Sequence, residues 1–240
     1  MNQQDNLFGY VSQREQATVA KTFMAGVFGW MTIAMAITAF TAYMFASDMG
    51  LMGLLVRPEG GMSMLGWIVM LAPFGFVMLM SMGYQRLSAM VLGLLFGVFS
   101  VLMGMSLSFI FLAYTMASIA KTFVITSGMF GVMAIVGYTT KTDLTKFGSI
   151  MFMALIGLII ASLVNMFMQS SAMEYIISFA GVIIFTGLTA YDVQKLKKIG
   201  SETGAGGEAV KKVTILGALT LYLDFINLFL FLLRFFGNRK

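Results

Sequence analysis

The chain has no cysteine and no histidine. Without cysteine, no disulfide framework can form. Without histidine, the commonest metal ligand and the usual general base are missing. Zinc hydrolases, serine–histidine intramembrane proteases and histidine-ligated haem are excluded together. Proline is nearly absent as well, with only Pro58 and Pro73. Charge is scarce: 10% of residues, against about 25% in a soluble domain, while hydrophobic residues make up 59%. That balance marks a polytopic membrane protein whose main partner is the lipid bilayer. The net charge of +5 does not point to nucleic acid, because the basic residues flank apolar spans.

What is present is long apolar sequence. A bilayer core takes about 20 apolar residues as a helix, and seven segments qualify: 23–46, 64–82, 89–116, 122–138, 147–168, 173–194 and 213–236. Unpaired strands are excluded, since lipid cannot satisfy their backbone groups. The expected fold is all-α. A single seven-helix domain, 23–237, lies between a polar N-terminal tail, 1–22, and a short C-terminal tail, 238–240. The first apolar run is too long for a signal-peptide core and should persist as a helix. Two connections are long. One is 47–63; the other is 197–212, whose glycine-rich middle is expected to be mobile. Gly93, Gly97 and Gly104, and again Gly128, Gly131 and Gly137, read as points of close helix packing. The 24 methionines are scattered and read as adaptable packing.

With the N-terminus inside, the inner segments hold Arg14, Lys21, Arg86, Lys141, Lys146, Lys195, Lys197, Lys198, Lys211 and Lys212. The outer segments hold Arg57, Lys121, Arg234, Arg239 and Lys240. The excess of basic residues favours a cytoplasmic N-terminus and an external C-terminus.

Of the ten acidic residues, eight lie in tails, loops or helix ends. Asp192 and Asp224 do not. A charge at the centre of a membrane helix costs about 2.5–3.5 kcal/mol on insertion scales, so such a residue faces the bundle interior or a water-filled cavity. Asp224 is at the midpoint of the seventh segment. Thr220, Asp224, Asn227 and Phe231 share one helical face, which should look inward. A structural carboxyl bonded to a neighbouring helix is the alternative. Asp192 ends the apolar part of the sixth segment, in "GLTAYDVQKLKK". It is either an interfacial residue beside the lysines or a partner for Asp224. It sits nearer the inner surface than Asp224 by about two turns, less if the sixth helix runs past Lys195 with its lysines snorkelling.

Two carboxyls that meet out of water cannot both ionise freely. They titrate as a unit, hold one proton near neutral pH and lose it as pH rises. They can also coordinate a hard cation such as Ca²⁺. A cation path with a proton-sensitive gate follows, with no resident cofactor and Ca²⁺ as the passing ion. Arg86, in "GYQRLS", is either a counter-charge for the pair or a simple interfacial anchor.

The stretches "GLTAYDVQKLKK", "LGALTLYLDFINLFLFLLRFFG" and "SGMFGVMAIVGYTTKTDLTKFG" resemble the Bax inhibitor-1 family, most closely its inner-membrane members in Gram-negative bacteria. The resemblance covers roughly residues 20–240. It implies a seven-helix fold with the last helix central, and a pH-sensitive calcium leak. It implies that Asp192 and Asp224 are the family's paired aspartates and that Arg86 is the basic residue able to latch onto them. Asn227 and Tyr191 then line the path. Some bacterial relatives regulate a membrane protease, so a protease-regulating protein is the second reading.

Enzymatic readings fare worse. An intramembrane aspartyl protease also uses a carboxyl dyad, but such enzymes carry glycines before the second aspartate and a Pro-Ala-Leu turn later. Here Leu221, Tyr222 and Leu223 precede Asp224, and both prolines lie far upstream. A retinal protein needs a lysine within the seventh helix, and none lies between Val213 and Phe236. No enzyme activity is expected.

Overall fold

A computed structural model describes residues 3–202 and 206–240. The described residues form nine helices: α1 (Gln3–Ser47), α2 (Met49–Leu55), α3 (Met64–Gly83), α4 (Ala89–Leu107), α5 (Ile110–Ala113), α6 (Met116–Thr139), α7 (Thr145–Met168), α8 (Ser171–Glu202) and α9 (Glu208–Phe236). Seven helical spans are long and apolar enough to cross a membrane. The all-α, seven-span fold expected from the apolar runs is therefore present.

Polar residues mark where the apolar runs stop. Ser63, Ser88 and Thr115 accept hydrogen bonds from the first backbone amides of α3, α4 and α6, meeting donors that a helix start leaves unpaired. Gln169, in the left-handed conformation, ends α7.

Several boundaries differ from the sequence expectation: the third segment, expected over 89–116, stops at Leu107 and is followed by the short α5, and α9 begins at Glu208 where 213 was expected. Residues 3–22 continue the first helix as part of α1. α6 begins at Met116, before Lys121, because an exposed lysine can sit on a helix with its head outside the apolar region. α8 runs through Lys195, Lys197 and Lys198 to Glu202 for the same reason. The connection expected over 197–212 is correspondingly shorter, and its residues 203–205 lie outside the described residues. The 47–63 connection contains α2 and a short hairpin closed by a bridge between Val56 and Met62.

α9 is the central helix, packed against α1, α4, α6 and α8. It is buried around most of its circumference. The exception is a part-buried stripe that includes Thr220, Leu223, Asn227 and Phe231. α3 and α7 are peripheral: α3 packs on α4, and α7 packs mainly on α8. Packing between helices in lipid depends on close fit more than on water exclusion. Gly104 meets Thr38, Thr41 and Ala42 of α1, and Gly137 lies against the backbone of Ala190 on α8. Gly93 meets the Trp30 ring. Gly97, Gly128 and Gly131, also expected at helix contacts, face open space. They point away from the neighbours their helices pack on.

On the far side of α9 from its part-buried stripe, Tyr222 is fully buried. Its ring packs edge-on against Phe96 and Phe99, with centroids 5.9 and 5.4 Å away. Its hydroxyl is 2.7 Å from Thr38 Oγ1, which donates to the Ser100 carbonyl at 3.0 Å. Thr38 has a single hydroxyl proton, so the Tyr222 hydroxyl donates to Thr38. The relay ties α9 to α1 and α4.

Candidate functional site

α8 and α9 are consecutive and antiparallel. Leu196 packs on Gly217, and Phe231 packs on Gly181. This register sets Asp192 and Asp224 about one turn apart along the axis, ~5 Å at 1.5 Å per residue. Helical Cα–Cβ bonds tilt toward their own N-terminus. On antiparallel neighbours the two tilts are opposed, and here they point the aspartates at each other. The offset narrows, and the carboxyls of Asp192 and Asp224 face each other closely enough to interact. A hydrogen bond between two carboxyls requires a proton on one of them.

Asp224 is 6% exposed. Its Oδ2 is the one buried side-chain polar atom without a hydrogen-bond partner among the described residues. Asp192 is part-buried, and the positive charge acting on it is Lys195, one turn further along α8. The Lys195 ammonium also lies 5.8 Å from the centre of the Tyr191 ring, and that ring packs on Gly148 of α7.

The pair opens onto a cavity of about 1080 Å³ between α7, α8, α9 and Phe74 of α3. It exists because α7 leans on α8 and leaves the stripe of α9 uncovered. Thr220, Asn227 and Tyr191 line it with the two aspartates. Asn227 Nδ2 donates to the Leu223 carbonyl at 2.8 Å, which leaves its amide oxygen available to accept. The rim is apolar. Phe74, Phe152 and Leu163 are each more than half exposed, so the cavity reaches the lipid-facing surface.

At the lysine-rich end, Gln194 holds the α6–α7 connection. Its Nε2 donates to the Thr142 carbonyl at 2.7 Å, and its Oε1 accepts from the Leu144 amide at 2.8 Å. Lys197 donates to the Tyr138 carbonyl at 2.8 Å, in the last turn of α6. These contacts put Asp192 within about a turn of the level at which α6 ends and α7 begins. Asp224 lies roughly one turn deeper, nearer this end than its mid-helix position suggests.

Arg86 is exposed on the 84–88 turn. That turn leads into Ala89, whose amide donates to Glu208 at the start of α9 at 2.5 Å. Glu208 is about four turns, ~24 Å, from Asp224 along the helix. The structure therefore brings Asp192, Asp224, Asn227 and Tyr191 together and leaves Arg86 apart. The sequence set Asp192 beside the lysines without singling out Lys195, although its i+3 spacing from Asp192 was a signal.

Ca²⁺ takes about six to eight oxygen ligands, and no group of three or more His, Cys, Asp or Glu residues is placed to hold a metal among the described residues.

The sequence matches the family described as "Inhibitor of apoptosis-promoting Bax1" over residues 20–240. It is 50% identical over 221 residues to the "Inner membrane protein YbhL" of Escherichia coli (strain K12), covering 92% of this chain and 93% of that protein. It is 43% identical over 228 residues to a protein of Borreliella burgdorferi, covering 95% and 97%. It is also 43% identical over 220 residues to a protein of Rickettsia prowazekii, covering 92% and 91%. The seven-span bundle, its central last helix and these matches agree: the chain belongs to the Bax inhibitor-1 family.

Proposed function

We propose that this protein is a proton-regulated calcium leak in a bacterial inner membrane, with Asp192 and Asp224 as its sensor and gate. The observation that carries the reading is the facing pair of aspartates lining one large cavity, with one buried oxygen of Asp224 unpartnered. While the pair holds a proton, it ties α8 to α9. Loss of that proton leaves two facing carboxylates, whose repulsion is relieved by separation or by a cation. Asn227 and Tyr191 line the path beside them. Lys195 takes the counter-charge role, since Arg86 would have to travel about four turns to reach Asp224. The name of the E. coli relative supports the inner membrane. The basic residues at the α8–α9 end support a cytoplasmic N-terminus.

The test is calcium flux into liposomes across roughly pH 5 to 8, the range in which a shared carboxyl proton can titrate. The wild type is expected to show flux that changes with pH. Asp192→Asn and Asp224→Asn each remove one titrating group, and the double variant is expected to lose the pH response. A double variant with unchanged flux and pH response overturns the reading.

A further inference from the structure

The cavity has the build of an organic ligand site, which a path for a small hydrated ion does not need. A volume of about 1080 Å³ is at the upper end of what small-molecule sites occupy, and such sites combine apolar walls with a few polar anchors. Its apolar wall runs from Phe152 along α7 to Leu163 and Met166, facing Phe185, Leu188 and Phe231. Its polar anchors gather at one end, around Asp192, Asp224 and Thr220.

Three properties of those anchors select the chemistry of an occupant. Asp224 lines the cavity and its Oδ2 is buried without a hydrogen-bond partner, so a donor is wanted at that carboxyl. A carboxyl pair that shares one proton still carries one negative charge, so the donor should be cationic. The exposed lips at Phe74, Phe152 and Leu163 open toward the acyl chains, so the molecule should arrive through lipid. Lys195 is exposed at the lysine-rich mouth and already acts on Asp192. It disfavours a cation entering from that end and leaves the side opening as the route.

We propose that the cleft between α3 and α7 binds a membrane-soluble amphiphilic amine, with its ammonium on Asp224 and Asp192 and its alkyl body along α7. The ammonium donates to the Asp224 carboxyl. The alkyl chain lies against Phe152, Leu163 and Phe231, pointing away from the lysine-rich end. This goes beyond ion flux and does not depend on it, since a chain that conducts nothing would bind the amine equally well.

The experiment uses the full chain in liposomes and two photoreactive probes of equal length, a diazirine-bearing alkylamine and the matching alkyl alcohol. Labelled peptides are mapped by mass spectrometry. The amine is expected to label the α7 and α9 walls at concentrations roughly tenfold or more below the alcohol, the scale of one hydrogen bond to a charged group. Asp192→Asn with Asp224→Asn is expected to erase that preference. Ser162→Trp, which fills the cleft from α7 and leaves the aspartates intact, is expected to remove labelling by the amine. Equal labelling by amine and alcohol would mean that the cleft merely holds acyl chains, and would overturn the proposal. So would an amine preference that survives the double aspartate variant. If that variant does not fold, undiminished labelling of Ser162→Trp is the overturning result. Calcium flux is not read in this experiment, so failure of the leak reading and failure of amine binding are separately visible.

Discussion

Tyr222 and Thr38 meet hydroxyl to hydroxyl at 2.7 Å inside the bundle, and through that contact the rotation of α9 is fixed against α1. Tyr222 is two residues from Asp224, on the opposite side of the helix. The bond that indexes α9 on one side thereby sets where the Asp224 carboxyl points on the other.

The direction of the relay makes the two ends unequal. Tyr222→Phe removes a donor and leaves Thr38 still bonded to Ser100, at an expected loss of about 1 kcal/mol. Thr38→Val strands a buried tyrosine hydroxyl as well, at about 1–3 kcal/mol more. Thermal unfolding in detergent should rank Thr38→Val as the more damaging. The reverse order would refute the assigned donor direction.

Gly137 is needed where α6 crosses α8, because a Cβ would fall on the Ala190 backbone, which cannot swing aside. Gly137→Ala is expected to cost about 1–3 kcal/mol through overpacking. Gly131→Ala, on the same helix but facing open space, is the control and should be near neutral. Equal melting temperatures for the two variants would contradict the crossing geometry.

Gln194→Ala removes both bonds that hold the 140–144 connection to α8. Each is worth about 1 kcal/mol. Amide exchange at Thr142 and Leu144 should therefore quicken by roughly tenfold, while α9 amides hold their protection. Unchanged exchange at Leu144 would show that the connection is held by other contacts.

Asp143 lies just ahead of α7, its Oδ1 accepting from the Thr145 hydroxyl at 2.6 Å and the Thr145 amide at 2.9 Å. The Thr145 hydroxyl, then its amide, hold the carboxyl below its ordinary 3.8. A lowered folded value gives support that is complete above the unfolded value and fades as pH falls through the folded one. Exchange at the first α7 amides, corrected for intrinsic rates, should rise below about pH 4 in the wild type. In Asp143→Asn the acid-induced step should vanish; its persistence would assign the step to another group.

The seven spans were legible because lipid demands uninterrupted apolar length, and every one appears close to its expected place. Two of the errors fall at exposed lysines. Lys121 and Lys195 read as boundaries, yet a long side chain lets a helix continue beneath a charge. The aspartates were legible because a carboxylate among apolar residues has few innocuous explanations. Their depth was not, because it depends on how far α8 and α9 slide past each other and on where α6 and α7 stop. The cleft was invisible for a related reason. No residue in α7 announces that the helix leans on α8 and leaves α9 uncovered. Arg86 shows the converse limit: sharing an end of the bundle with Asp192 does not place two charges within reach.

The opposed lean of Asp192 and Asp224 gives their contact a mechanical character. If α8 slides along α9, the axial offset between the carboxyls changes with it, because each is fixed to its own helix and leans toward the other. A shift of one residue, ~1.5 Å, is enough to break a hydrogen bond or to force two oxygens into collision. Contact within the pair is thus sensitive to axial slip between the two most buried helices.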